Sequence, residues 1–377
     1  MQNKTKVSTC RLAIICPSNN AYSETFIQQH RKLSEVVFFY YGGFFPKYLE
    51  QSGKIFHQGI KFMLNNILKK FRKKSSLNFL ENSLVNSFKK NNIQIVLAEY
   101  GPTAVEILGV CKKLNIPMVV HFHGFDASEN EILNKYSSGY KNVFQYASAV
   151  IVVSNQMRKK IESLSCPPIK IKLIPYGPAE EYYEVVPDCK DKQFVAVGRF
   201  VEKKAPYLTL AAFQKVLQYY PDAKLIMIGD GKLLPVCVHL SKVWNMESNI
   251  CFTGALQPSE IKKIFSQSVA FVQHSITAST GDMEGTPVAI LEAAAASLPV
   301  ISTNHAGIGD VIINNETGFL VDEFDVDAMA NYMKFILDHP EKAREMGIKN
   351  KKNISENYTL EKHLNQLKNT LNEIIVR

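Results

Sequence analysis

The sequence contains no apolar run near the ~18 residues that cross a membrane as a helix. Of its 377 residues, the first strongly apolar stretch covers only positions 12–16, too short for a secretory signal core. It breaks at Pro17, Ser18, Asn19 and Asn20, so it reads as a strand entering a loop. The seven cysteines are odd in number, scattered and free of any C-x-x-C. That excludes an evident disulfide framework or zinc site and leads us to expect a reducing cytoplasm. Internal repeats and low-complexity tracts are absent. What remains is an ordinary globular composition, 46% hydrophobic and 21% charged, with length enough for two domains but short for three.

Charge is unevenly distributed. Through residue 180 there are 24 Lys+Arg against 11 Asp+Glu; the rest holds 20 against 24. The first half therefore carries +13 and the second −4, within a net +9. A basic first half suits an anionic partner such as nucleic acid, anionic lipid or a phosphorylated substrate, or serves solubility alone.

Short β-branched runs alternate with helical stretches almost end to end. Strands are expected at 11–16, 36–40, 93–98, 118–121, 149–153 and 170–174, then at 194–197, 224–228, 250–252, 270–273 and 300–302. These runs are continuously apolar, as parallel strands buried on both faces must be. Helices such as 105–114, 208–219 and 288–296 separate them, giving the βαβ pattern of parallel sheets. Gly177, Pro178, Pro187 and the acidic Glu180, Glu181 and Glu184 mark a boundary. The reading is α/β: a first Rossmann-like domain (1–178), a linker (179–192), a second Rossmann-like domain (193–358) and a closing helix (359–377). Ligands of such sheets bind at the carboxyl ends of the strands, so a site is expected in the cleft between domains.

The most informative window, 280–302, reads T-G-D-M-E-G-T-P-V-A-I-L-E-A-A-A-A-S-L-P-V-I-S. A glycine-flanked polar loop leads into a helix, with Thr286 expected as N-cap and Pro287 as its first residue. Such a helix start attracts anions through its free N–H groups. Glu284 precedes it, and Glu292 lies eight positions on, about two turns in. Phosphates at the helix start, with polyols accepted by carboxylates on either side, describe a nucleotide sugar. Spacing alone fits two solvated glutamates equally well.

The E-x7-E spacing, the E-G-x-P start and the L-E-A-x-A-x-x-x-P-V run resemble the donor signature of glycosyltransferase family 4. The wording G-D-M-E-G-x-P-V-A is most similar to enzymes of bacterial exopolysaccharide assembly, including the colanic-acid type. The resemblance implies two Rossmann-like domains facing a central cleft, with the C-terminal helix crossing back to the first. It implies that Gly285, Thr286 and Pro287 receive the donor diphosphate, that Glu292 holds the ribose hydroxyls, and that Glu284 lies by the transferred sugar. G-R-F-V-E-K-K-A at 198–205 then supplies Arg199 and Lys204 to neutralise the diphosphate, with Ala205 where the family usually has glycine. V-H-F-H-G-F-D at 120–126 resembles the H-G-x-D loop, which maps onto His123 facing the donor sugar, Gly124 allowing close approach and Asp126 orienting the loop or meeting the acceptor. His121 reads as structural. Thr253 is expected beside the nucleobase. S-E-T-F at 23–26 resembles an acceptor-side loop, making Ser23 and Glu24 acceptor candidates.

The implied reaction is retaining transfer of a sugar from a UDP- or GDP-sugar to a glycan hydroxyl, on a lipid-linked acceptor, with no metal and no cofactor. His123, Glu284, Arg199 and Lys204 are the expected catalytic group. A sugar-nucleotide epimerase or a non-catalytic nucleotide-sugar-binding subunit would use the same architecture. No nucleic-acid-binding motif accompanies the basic half. A basic amphipathic stretch at 60–74 has Ile60, Met63, Leu64, Ile67, Leu68 and Phe71 on one helical face, ringed by Lys61, Lys69, Lys70, Arg72, Lys73 and Lys74. It reads as attachment to an anionic membrane surface, placing the protein on the cytoplasmic face of the cell membrane.

Overall fold

The computed structural model describes residues 10–19, 25–56, 74–188 and 191–376. Ser23, Glu24 and most of the basic segment lie outside them.

The first sheet contains β1 (Arg11–Ile15), β2 (Val36–Tyr41), β3 (Tyr48–Leu49), β4 (Gly53–Lys54), β5 (Ile95–Glu99), β6 (Met118–His121), β7 (Ala149–Val152) and β8 (Ile171–Leu173). Their order is β4-β3-β2-β1-β5-β6-β7-β8. The second contains β9 (Gln193–Val197), β10 (Lys224–Ile228), β11 (Ile250–Gly254), β12 (Ala270–Gln273), β13 (Val300–Thr303) and β14 (Gly318–Val321), ordered β11-β10-β9-β12-β13-β14. All eleven expected strands form, and they pair in parallel. The short antiparallel β3 and β4 and the edge strand β14 were not anticipated. β5, β6 and β7 are buried at every position, which is why they read as continuous apolar runs rather than alternating ones.

Each sheet reverses its winding once, between β1 and β5 in the first and between β9 and β12 in the second. Crevices for ligands open at such switch points. The segment between the sheets forms a short 3-10 turn, Glu180–Glu184, with Tyr182 buried.

The final helix, Leu360–Ile375, starts at Thr359, whose hydroxyl accepts from Lys362 N at 3.0 Å. Its Leu364, Leu367 and Leu371 share a core with Leu12, Ile14 and Ile95 of the first sheet. Burial of each such side chain is worth about 1.5–3 kcal/mol, so the helix crosses back to the first domain.

Candidate functional site

The strand ends of both sheets open onto one cavity of about 1060 Å³. On the first-domain side its wall includes Phe26, Tyr100, His123, Phe125 and Tyr176. On the second-domain side it includes Arg199 and Lys204 after β9, Gly229 to Lys232 after β10, Ala255 to Pro258 after β11, and Glu284 to Ala289 with Glu292. The expected donor residues thus converge, with two exceptions, Gly124 and Thr253, neither of which is part of the wall. Thr253 does not line the cavity: its hydroxyl donates to Gly254 O at 2.9 Å, and the wall is made two residues later.

Lys204 lies at the switch point of the second sheet. Its Nζ is 3.2 Å from Glu284 Oε1 and 3.3 Å from Gln273 Oε1, at the end of β12. Burial pulls the Lys204 ammonium below its ordinary range, and Glu284 only partly offsets this. Burial raises Glu284, but Lys204, Lys203 and His305 outweigh it and hold the carboxyl low. Arg199 is exposed, and its side chain has no ion pair or hydrogen bond among the described residues. Its guanidinium is therefore available to a ligand. Ala205 closes this turn in the left-handed region, at φ 36°, which explains the usual glycine; a Cβ there costs about 1–2 kcal/mol.

The loop before Glu284 has a support that no sequence motif signalled. Lys203 is buried, with Nζ 2.9 Å from Asp282 Oδ1 and 3.2 Å from Met283 O. Glu284 N donates to His305 Nε2 at 3.2 Å, and His305 Nδ1 lies 2.7 Å from Glu323 Oε1. Neither pair is close in sequence, so spacing could not reveal it.

The helix Val288–Ala295 forms as expected, but its cap differs. Pro287, not Thr286, occupies the N-cap position, with no side-chain capping bond. Thr286 Oγ1 instead donates to Val153 O of the first domain at 3.1 Å. The threonine joins domains rather than starting the helix. Glu292 is more than one turn into this helix, and its pKa is raised to about 7 by burial and by Glu181, against a hydrogen bond from Tyr182.

Gly124 and Gly285 meet across the cleft. A Cβ on Gly124, at φ +141°, would lie 3.0 Å from Met283 O; one on Gly285 would lie 2.5 Å from His123 O. The Gly285 contact is shorter than real Cβ contacts, and the Gly124 contact is tight at a φ that L side chains rarely adopt, so both positions favour glycine where the loops touch.

Of the two expected roles of Asp126, the geometry fits the orienting of the loop. Asp126 is fully buried, and Oδ1 accepts from His123 N at 2.9 Å and Gly124 N at 3.0 Å, while Oδ2 accepts from Gly101 N at 2.9 Å. Burial raises its pKa against these bonds. It shapes the loop through these three bonds. The His123 side chain is 3% exposed. Its Nε2 meets Glu99 Oε2 at 2.8 Å, and its Nδ1 bonds the Tyr176 hydroxyl. Glu99, fully buried at the end of β5, was hidden in a strand that reads as purely apolar.

Two family models match in tandem: Glycosyltransferase Family 4 over residues 27–178 and Glycosyl transferases group 1 over 183–353. A colanic acid biosynthesis glycosyltransferase, WcaL, of Salmonella typhimurium is 29% identical over 244 residues, 63% of this chain and 59% of WcaL. The chain therefore spans less than two thirds of that relative. A UDP-Gal:alpha-D-GlcNAc-diphosphoundecaprenol alpha-1,3-galactosyltransferase of Escherichia coli is 26% identical over 316 residues, 78% of this chain and 79% of the enzyme. Among solved structures, Anabaena HepE in complex with UDP superimposes with a TM-score of 0.77 at 15% identity, covering 96% of this chain and 100% of HepE. Both halves of the chain match in order, and the fold is shared nearly end to end: the chain belongs to glycosyltransferase family 4.

Proposed function

We propose that the chain is a retaining glycosyltransferase that moves a sugar from a UDP- or GDP-sugar to a glycan hydroxyl in bacterial surface polysaccharide synthesis. The observation that carries this reading is the single cavity lined by Arg199, Lys204, Glu284, the start of the helix Val288–Ala295, and Glu292. The second domain, 193–358, takes the donor, and the first, 1–178, takes the acceptor. HepE, which shares the fold, is solved with UDP, and the galactosyltransferase relative uses UDP-Gal and a diphosphoundecaprenol-linked sugar. Both favour a nucleotide donor, and the galactosyltransferase favours a lipid-linked acceptor.

In this reading the diphosphate lies against Arg199, Lys204, Gly285 and the first N–H groups of the helix, which lack intrahelical partners. Charge growing on the leaving phosphate is stabilised there, without requiring a divalent cation. Glu292 accepts from the ribose hydroxyls, and Glu284 sits by the transferred sugar. His123 and Gly124 close the sugar's side of the cleft. For retention, the acceptor hydroxyl attacks from the face the phosphate leaves, and the leaving phosphate oxygen takes its proton. No protein nucleophile is assigned. Incubation with UDP- and GDP-sugars and a lipid-linked acceptor, followed by NMR of the product, tests this. A product with the donor's anomeric configuration supports it; an inverted anomer, or epimerised donor without transfer, contradicts it.

No helix among the described residues is long and apolar enough to cross a membrane. We assign the basic residues of 60–74 to peripheral attachment at the cytoplasmic face, each contributing about 1 kcal/mol near an anionic surface. Co-sedimentation with anionic vesicles at low salt, lost at high salt, is the expected result. Equal pelleting with and without vesicles would contradict it.

A further inference from the structure

Glu99 has no lysine or arginine partner among the described residues. Histidines surround it instead, drawn from distant parts of the chain. Its Oε1 is 2.7 Å from His30 Nδ1, and its Oε2 is 2.8 Å from His123 Nε2 and 3.5 Å from His121 Nδ1. On its far side, His30 Nε2 is 2.9 Å from His363 Nε2 on the C-terminal helix, and His363 Nδ1 is 2.8 Å from Pro175 O. Glu99, His30 and His121 are wholly buried, and His363 nearly so.

A carbonyl only accepts, so hydrogen-bond chemistry fixes the order of donors. His363 Nδ1–H donates to Pro175 O. Burial keeps His363 neutral, its pKa well below the usual range, so its Nε2 accepts from His30 Nε2–H. A proton must also lie between His30 Nδ1 and Glu99. Burial raises the Glu99 carboxyl, but the histidines, His30 foremost, outweigh it and hold it well below the usual range; the proton is therefore on His30. The carboxylate's second oxygen accepts from His123 Nε2–H, which leaves His123 Nδ1 to accept from Tyr176. Burial, then the neighbouring His123, takes His121 down to about 3, so it adds no charge.

We propose that Glu99 is a positioning residue that holds His123 in the tautomer bearing its proton on Nε2, and that His363 completes this device, so that docking of the C-terminal helix sets the cleft wall. The proposal rests on the reading of the cavity as a sugar-transfer site. His123 O is the atom against which Gly285 packs, so a shift of this loop moves the donor side of the cleft.

Two measurements test it on the full chain. The first is imidazole ¹⁵N NMR, which needs no turnover and so stands apart from the assigned function. Between pH 6 and 8, His123 is expected to show one tautomer, with Nε2 protonated. A tautomer mixture, or a proton on Nδ1, would overturn the proposal. The second is kinetic. Glu99→Gln keeps the shape but removes the charge and one of the two acceptors, so its NH2 can no longer accept from one of the two histidines; His363→Ala removes the far anchor; His363→Gln restores an acceptor for His30. Glu99→Gln and His363→Ala are expected to lower kcat by about 10²-fold with donor KM within about twofold, and His363→Gln to recover most of the loss. Unchanged kcat in the first two, or a loss shared equally by both His363 variants, would overturn it. So would a stoichiometric transition metal that copurifies and is lost in Glu99→Gln, since His30, Glu99 and His121 would then be its ligands.

Discussion

Lys204 Nζ lies 3.2 Å from Glu284 Oε1, with the two side chains 13% and 8% exposed. The lysine of one motif thus neutralises the first glutamate of another, 80 positions away. A donor diphosphate would have to share this cation, while Arg199 stands open to it.

Removing one member of a buried pair leaves the other charge uncompensated, at a cost of about 3–5 kcal/mol. Lys203 also lies near Glu284, so the lower end is expected for Lys204→Ala. Adding Glu284→Gln should recover most of that stability and none of the turnover. Urea denaturation and sugar transfer, measured on both variants, check this.

Arg199 contrasts with it. Being exposed and unpaired among the described residues, it contributes little to folding, and Arg199→Ala should change stability by less than about 0.5 kcal/mol. Loss of a charge-assisted hydrogen bond should weaken nucleoside diphosphate binding by about 1.5–3 kcal/mol. Thermal melts and calorimetric titration separate the two effects.

Glu292 predicts a pH dependence of two signs. In the empty protein its pKa is about 7, whereas in the unfolded chain it is near the ordinary glutamate value of about 4.3. Between these values the folded state binds more protons, so stability falls as pH rises and levels off above about 7. Nucleotide affinity should move oppositely, increasing from pH 6 to 8 as the carboxylate proposed to accept from the ribose hydroxyls forms. Glu292→Gln should flatten both curves.

Sequence patterning revealed the strands, because burial on both faces imposes uninterrupted apolar runs. The family resemblance pointed to Arg199, Lys204, Glu284 and Glu292, which sit in short contiguous motifs at strand and helix ends and line one cavity. Neither revealed Glu99, His305, Glu323 or His363. Their partners are distant in the chain, and each residue sits alone in an unremarkable context. Thr286 was misread for a related reason: local chemistry favours it as a cap, but a carbonyl of the other domain claims its hydroxyl. β14 was missed because Gly318 opens it, and β3 and β4 because two-residue strands have no periodicity.

Asp126 belongs with the residues whose role packing decides. Its two oxygens accept three backbone N–H groups, so Asp126→Asn should strand at least one donor and cost about 1–3 kcal/mol. Acceptor KM should stay unchanged in the folded fraction. A change in acceptor KM at unaltered stability would favour the acceptor role instead.

The most direct test of the donor site is calorimetric titration of UDP and GDP into the wild-type chain, Arg199→Ala and Glu292→Ala. The account predicts that one of the two nucleotides binds the wild type at one per chain, and that each variant weakens it by about tenfold or more. Absence of binding to the wild type, or equal affinity in all three proteins, would contradict it.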